Sequence, residues 1–235
     1  MFMGLVGSEM CIRDRRIELR VGTESNGQGH ETTYIDLVSE RLGVEADLFD
    51  YIQANTFEVR LGSGHGGARS MHMGAATMIL AVEEVIGKAK GVAAVLLQAE
   101  IDELSFKNGS FTSGSGNRSV TLKEVAIAAR DDRIAPHLEG MGLDTFTKRE
   151  NAPFTFPNGC HSAEVEIDPE TGSVTLIKYI MVDDYGSLVN PVLTEGQLHG
   201  GVAQGIGQAL MEFVSFDENT GQLLSGSLME YTLPR

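Results

Sequence analysis

The chain has 235 residues, a formal net charge of -15, 28 glycines and two cysteines. The acidic balance and the lack of clustered Lys and Arg argue against nucleic acid and anionic membrane surfaces as general partners. No apolar run approaches the roughly 18 residues that span a bilayer, and Cys11 and Cys160 offer neither a disulfide framework nor zinc or iron–sulfur spacing; a reduced, cytoplasmic protein is expected.

Residues 1–15, MFMGLVGSEMCIRDR, show no periodicity that matches the rest. The string GSEMCIRDR resembles translated adapter sequence, so this stretch is expected to be a non-native leader that packs poorly. Arg16–Val21 alternates and predicts a strand. GTESNGQG then leads into a predicted helix, His30–Leu42, whose apolar stripe is Tyr34, Ile35, Leu37, Val38 and Leu42 and whose stop is Gly43. Residues 47–52 predict a short strand, LGSGHGGARS a second glycine-rich loop, and residues 71–97 a long helix that Gly87 or Gly91 could break. Residues 101–111 predict a hairpin turning at Asn108-Gly109. Thr121 predicts a helix cap, with Glu124 as its capping-box partner. Residues 131–158 read as irregular. Residues 160–167 and 173–182 predict strands joined by DPETG, followed by a helix over 196–213 and a hairpin-like element over 216–224. The class is α+β, and the chain is expected to divide into residues 1–15, 16–158 and 159–235.

Three glycine-rich stretches carry the chemistry. In Gly27-Gln28-Gly29-His30-Glu31-Thr32-Thr33, free backbone N–H groups and the helix dipole make a candidate anion site. The spacing is neither GxGxxG nor a P-loop. In GSGHGGARS, Arg69 and Ser70 stand at a helix start and suit phosphate or a carbonyl-rich heterocycle. The third stretch runs from Asp183-Asp184-Tyr185-Gly186 through Asn190-Pro191 to GQLHGGVAQGIGQAL. Its Gly200, Gly201, Gly205 and Gly207 lie in a predicted helix, each costing about 1 kcal/mol relative to alanine. Close helix packing or the close approach of a cofactor would compensate. Each stretch alone reads equally as a turn, a cap or a surface loop. Asp183 and Asp184 have no further carboxylate or histidine nearby in sequence to complete a metal site. There is no GxSxG elbow, and Cys160 and His161 are strand neighbours that face opposite ways; a Cys160 or serine hydrolase is the weakest reading. Taken together, the three stretches could cradle a large anionic ligand.

At these same residues the chain resembles the large subunit of molybdenum hydroxylases, the xanthine dehydrogenase, aerobic CO dehydrogenase and aldehyde oxidase family. VGTESNGQGHETTY, GSGHGGARSMHMGAA and NGCHSAEVEIDPETGSVTLIKYIMVDDYGSLVNPVLTEGQLHGGVAQGIGQAL match that family's motifs in order and spacing. The resemblance covers the chain from about Arg16 onward. It implies part of a molybdopterin-binding domain with mixed sheets and packed helices. It also implies a molybdopterin cofactor carrying molybdenum, in the cytosine dinucleotide form, with no side-chain ligand to the metal. By motif position, Gln28, Gly29, His30 and Thr32 would contact the cofactor, Arg69 and Ser70 would close over it, and Asp184, Asn190 and Gln197 would line it. Ala68 stands where the family commonly has serine, and Tyr185 where it often has cysteine or phenylalanine. The implied function is oxidation or hydroxylation of CO, an aldehyde, a purine or an N-heterocycle, using water-derived oxygen. Electrons would leave through a small Fe–S subunit and a medium FAD subunit, in a dimer of heterotrimers. The family's glutamate base is expected beyond Arg235, and Glu230 is not its counterpart. No catalytic residue is therefore assigned, and this stretch alone is expected neither to turn over substrate nor to hold the cofactor tightly. The alternative is a non-catalytic cofactor-binding or assembly module on the same scaffold.

Overall fold

The computed structural model describes residues 6–13, 16–66, 69–114, 118–131, 134, 142–149, 155–232 and 234. The chain separates into two compact units, Met1–Thr155 and Phe156–Arg235.

The first unit contains, in chain order, β1 (Val6–Arg13), β2 (Arg16–Val21), α1 (His30–Leu42), β3 (Phe49–Gln53), α2 (Ala76–Leu97), β4 (Leu104–Lys107), β5 (Ser110–Ser113), β6 (Ser119–Thr121), α3 (Leu122–Ala128) and β7 (Thr145–Arg149). A mixed sheet runs in the order β3-β2-β1-β7. Strands β2 and β3 are parallel, with Ile17 opposite Phe49 and Val21 opposite Gln53, while β1 is antiparallel to β2 and β7. Parallel neighbours need a crossover, and α1 is that crossover. Its buried residues, His30, Thr33, Tyr34, Leu37, Val38 and Leu42, recur at helical spacing and form one core-facing stripe. Gly43, at φ 61, ends the helix. Helix α2 lies against β1, β7 and α3. The strands β4, β5 and β6 form a separate antiparallel sheet. Asn108 and Gly109 turn β4 into β5 with φ of 48 and 71, the doubly positive pattern of a tight hairpin. The expected capping box is present: Thr121 Oγ1 accepts from Glu124 N, and Glu124 Oε2 accepts from Thr121 N at 2.8 Å.

Four expectations are corrected here. Residues 1–15 were expected to pack poorly, but Val6–Arg13 is an interior strand, with Val6, Met10, Cys11 and Ile12 buried. This counts against reading the whole stretch as a leader foreign to the fold. Residues 1–5, 14 and 15 lie outside the described residues. Helix α2 is not broken at Gly87 or Gly91. Two glycines cost about 2 kcal/mol, whereas each fully buried Val, Leu or Met contributes about 1.5–3 kcal/mol, and α2 buries Met78, Val82, Val85, Val92 and Leu97. The stretch read as irregular contains β7, which pairs along β1 from Val6 to Met10. The last helix starts earlier than Gly196, as follows.

The second unit contains β8 (Asn158–Ile167), β9 (Val174–Asp184) and α4 (Pro191–Leu210). The strands form one long hairpin with an irregularity at Glu164/Val165. At its turn, Asp168 accepts from Glu170 N at 2.9 Å and from the Thr171 hydroxyl at 2.7 Å. Helix α4 begins at Pro191 because Asn190 caps it, its side-chain oxygen accepting from Leu193 N at 3.0 Å. Proline at the first position gives up an N–H that no helix would use there. The hairpin-like element over 216–224 is reduced to one bridge, Phe216 to Leu223. Among the described residues, no helix is long and apolar enough to cross a membrane.

Candidate functional site

Strand β2 ends at Val21, and at the next residue two glycine-rich loops meet. Gly22 O accepts from Ser63 N at 3.0 Å. A Cβ on Gly22 would stand 2.1 Å from the Leu61 carbonyl oxygen, and one on Gly62 would stand 2.5 Å from that of Gly22. The loops touch backbone to backbone, an approach that only glycine permits. Side chains extend the seam. Asn26 Nδ2 lies 3.4 Å from His65 Nε2, and Arg69 donates to the Gly66 carbonyl and, at 3.0 Å, to the Ser63 hydroxyl. The first two predicted stretches therefore share one surface, at the C-terminal end of a parallel strand where a helix begins. Gly67 and Ala68 lie outside the described residues.

On that surface Gln28 folds back on its own loop, accepting from Asn26 N and donating to Glu24 O at 3.3 Å. Gly29 precedes α1 at φ 74 and offers no side-chain cap, so the first-turn amides keep their capacity to hold an anion. Thr32 is exposed, while the Thr33 hydroxyl turns inward and donates to Gly29 O at 3.0 Å. His30 is 3% exposed, and neither of its ring nitrogens has a hydrogen-bond partner among the described residues. Burial, and then the neighbouring His65, hold its pKa below the usual histidine value, which favours the neutral ring. A buried polar atom left unpaired costs about 1–3 kcal/mol, and here the cost falls beside the open helix start. Ser70 opens a π-helical turn, Ser70–Ala75, and its carbonyl accepts from the Tyr34 hydroxyl at 2.6 Å.

The third stretch lies in the second unit. Asp184 is exposed and accepts from Gly186 N at 2.8 Å. Asn190 caps α4, and Gln197 is exposed on α4, beside a groove that His161, Tyr179 and Tyr185 also line. Gly196, Gly200, Gly201 and Gly205 have nothing within 4 Å of an added Cβ. Close packing among the described residues therefore does not explain them. Asp183 does not act as a pair with Asp184, because strand alternation separates the two carboxylates. It meets His161 Nε2 at 3.0 Å, while His161 Nδ1 meets the Tyr179 hydroxyl at 2.9 Å. Gly159 makes this possible, since a Cβ there would fall 1.8 Å from Asp183 Oδ1. Burial and the Asp183 charge push the Tyr185 phenol up. Among the described residues, no group of three or more His, Cys, Asp or Glu side chains could hold a bare metal ion.

Sequence reasoning read Tyr34 only as part of an apolar stripe and named no role for His65 or His161. A tyrosine at a core position carries a signal of its own, because its hydroxyl needs a partner when buried. Nothing local reveals the reach of His161 to Asp183, which depends on the β8–β9 register.

The family model for the molybdopterin cofactor-binding domain matches residues 11–235. The chain is 32% identical over 216 residues to the carbon monoxide dehydrogenase large chain of Hydrogenophaga pseudoflava, covering 92% of this chain and 26% of that one. It is 27% identical over 226 residues to the xanthine dehydrogenase molybdenum-binding subunit of Escherichia coli O157:H7, covering 94% and 29%. The structure of a Cu,Mo-CO dehydrogenase in its carbon monoxide reduced state matches with a TM-score of 0.87 and 31% identity, covering 99% of this chain and 29% of that one. The chain thus spans under a third of the length of these relatives.

Proposed function

The chain belongs to the family of molybdopterin cofactor-binding domains, and from that premise we propose that it forms part of the cofactor site of a molybdenum hydroxylase-type oxidoreductase. One observation carries the proposal: His30 is buried, with both ring nitrogens unpartnered among the described residues, at the first residue of α1, on the surface that the two glycine loops build together. The donor set fits the group. Backbone amides at Gly29 and His30, the Thr32 hydroxyl, the Gln28 amide and the Arg69 guanidinium suit phosphate oxygens and pterin carbonyls. Ser70, next to Arg69, adds a hydroxyl. Asp184, Asn190 and Gln197 are proposed as cofactor contacts from their place in the third glycine-rich stretch alone, an exposed carboxylate being suited to the N–H groups of a pterin.

When bound, the cofactor supplies the redox chemistry that oxidises the substrate with water-derived oxygen. This chain's residues bind and orient it. The amides at the start of α1 and Arg69 offset the phosphate charge within a strongly acidic chain, and neutral His30 offers one donor and one acceptor. The proposal extends to the cytosine dinucleotide form of the cofactor and to a substrate among CO, aldehydes, purines and N-heterocycles. It further includes Fe–S and FAD partner subunits in a dimer of heterotrimers, and a reducing, cytoplasmic setting.

The test is a fluorescence titration of the 235-residue chain with molybdopterin cytosine dinucleotide. Because this stretch alone is not expected to hold the cofactor tightly, weak binding that saturates only at high cofactor concentration is expected, and Arg69→Ala should weaken it further by about tenfold or more, the size of one lost charge-assisted hydrogen bond. Absence of saturable binding by the folded wild-type chain would overturn the proposal.

A further inference from the structure

Tyr34 is fully buried, yet its hydroxyl is engaged on two sides. It donates to the Ser70 carbonyl at 2.6 Å and lies 3.1 Å from the Thr23 hydroxyl, which is then the donor to the phenol oxygen. Ser70 belongs to a turn of unusual width. The Arg69 carbonyl accepts from both Met73 N at 2.9 Å and Gly74 N at 3.4 Å, so the helical register slips by one residue there. Gly74 opens the slot into which the hydroxyl fits, for a Cβ at that position would stand 2.5 Å from the Tyr34 oxygen and 3.0 Å from Thr23 Cγ2. On its other side the Tyr34 ring lies against the His30 ring, with centroids 5.2 Å apart. One side chain thus touches His30 of the first loop and Ser70 of the second.

We infer that Tyr34 is a positioning residue: its hydroxyl pins the wide turn Ser70–Ala75 to α1 and so fixes Arg69 and Ser70 against Gly29 and His30. The inference rests on the reading that both loops hold one cofactor. Filling the core does not account for the arrangement. Phenylalanine would occupy the same volume, would need no opening at Gly74 and would gain nothing from Thr23. Burying an extra hydroxyl costs free energy unless it is bonded, and the bond that this one donates runs across the seam to Ser70, with Thr23 as its second partner. Burial also pushes the phenol up to about 12, so it remains a donor at any pH at which the protein works.

The experiment compares the full chain with Tyr34→Phe and with Val85→Ala, a core change remote from both loops. Two quantities are read: amide hydrogen exchange of residues 69–75 without ligand, and the dissociation constant for molybdopterin cytosine dinucleotide. Tyr34→Phe should speed exchange in 69–75, and weaken binding, by about five- to tenfold, the equivalent of one net hydrogen bond. Val85→Ala should lower the melting temperature at least as much while leaving both readouts near wild type. Thr23→Val, which removes the second partner of the hydroxyl, should shift both readouts in the same direction by less. Unchanged exchange in Tyr34→Phe, or equal acceleration in Val85→Ala, would overturn the inference. The exchange readout needs no ligand, so a wild-type chain that binds no cofactor defeats the proposed function while Tyr34 is still decided by exchange.

Discussion

His30 combines near-complete burial with a depressed pKa, caused first by desolvation and then by His65. Its unfolded value is about 6.5, and the folded value lies lower, so the unfolded chain takes up the proton first as pH falls. The stability that neutral His30 contributes is therefore whole above about pH 6.5 and is lost as pH drops through the folded value. Thermal unfolding between pH 8 and pH 5 should show a steeper acid decline in wild type than in His30→Phe. Identical declines would place the acid sensitivity elsewhere. At this scale the sequence made the place of Gln28, Gly29 and His30 legible, because they sit where a strand gives way to a helix. It did not announce Tyr34, because an apolar stripe and a hydrogen-bonding hydroxyl occupy the same helical position and only the partner distinguishes them. Nor did it show Asn190 as a cap, a use of that amide that needs no ligand.

At the scale of elements, legibility followed local chemistry. Helix α1 has the predicted ends, because Gly29 and Gly43 both adopt positive φ and leave no alternative boundary. The Asn108-Gly109 turn and the Thr121 capping box were equally readable, since their bonds close within four residues. The strands β1, β6 and β7 were not. β6 spans Ser119–Thr121 and β7 Thr145–Arg149, too short for alternation to register. β1 is buried on both faces, including Ser8 and Glu9, so its pattern has no polar side to contrast with an apolar one. Helix α2 bears on the opposite error, a break foreseen at glycines that tertiary burial overrides. Gly87 is exposed, and an added Cβ there meets nothing within 4 Å among the described residues. Gly87→Ala should therefore stabilise the protein by about 0.5–1 kcal/mol, read as a rise in the chemical denaturation midpoint at constant slope. A fall in the midpoint would mean that α2 has a reason to keep a weak point there.

Across the whole molecule, the order of the three glycine-rich stretches carried the family and the α+β class. The pattern needs glycine wherever backbone meets backbone or ligand, and such positions survive in a single sequence as clusters. The backbone seam between Gly22 and Gly62 could not be read in advance, because it joins residues forty positions apart through contacts that leave no periodicity. The account's central claim is that this seam and the start of α1 form a wall of a molybdopterin site. Its most direct test is an amide hydrogen-exchange footprint of the 235-residue chain with and without saturating molybdopterin cytosine dinucleotide. Slowed exchange should concentrate in residues 27–33 and 69–75, with the core of α2 unchanged. Binding that leaves both segments unprotected, or no protection anywhere at saturating cofactor, would contradict the account.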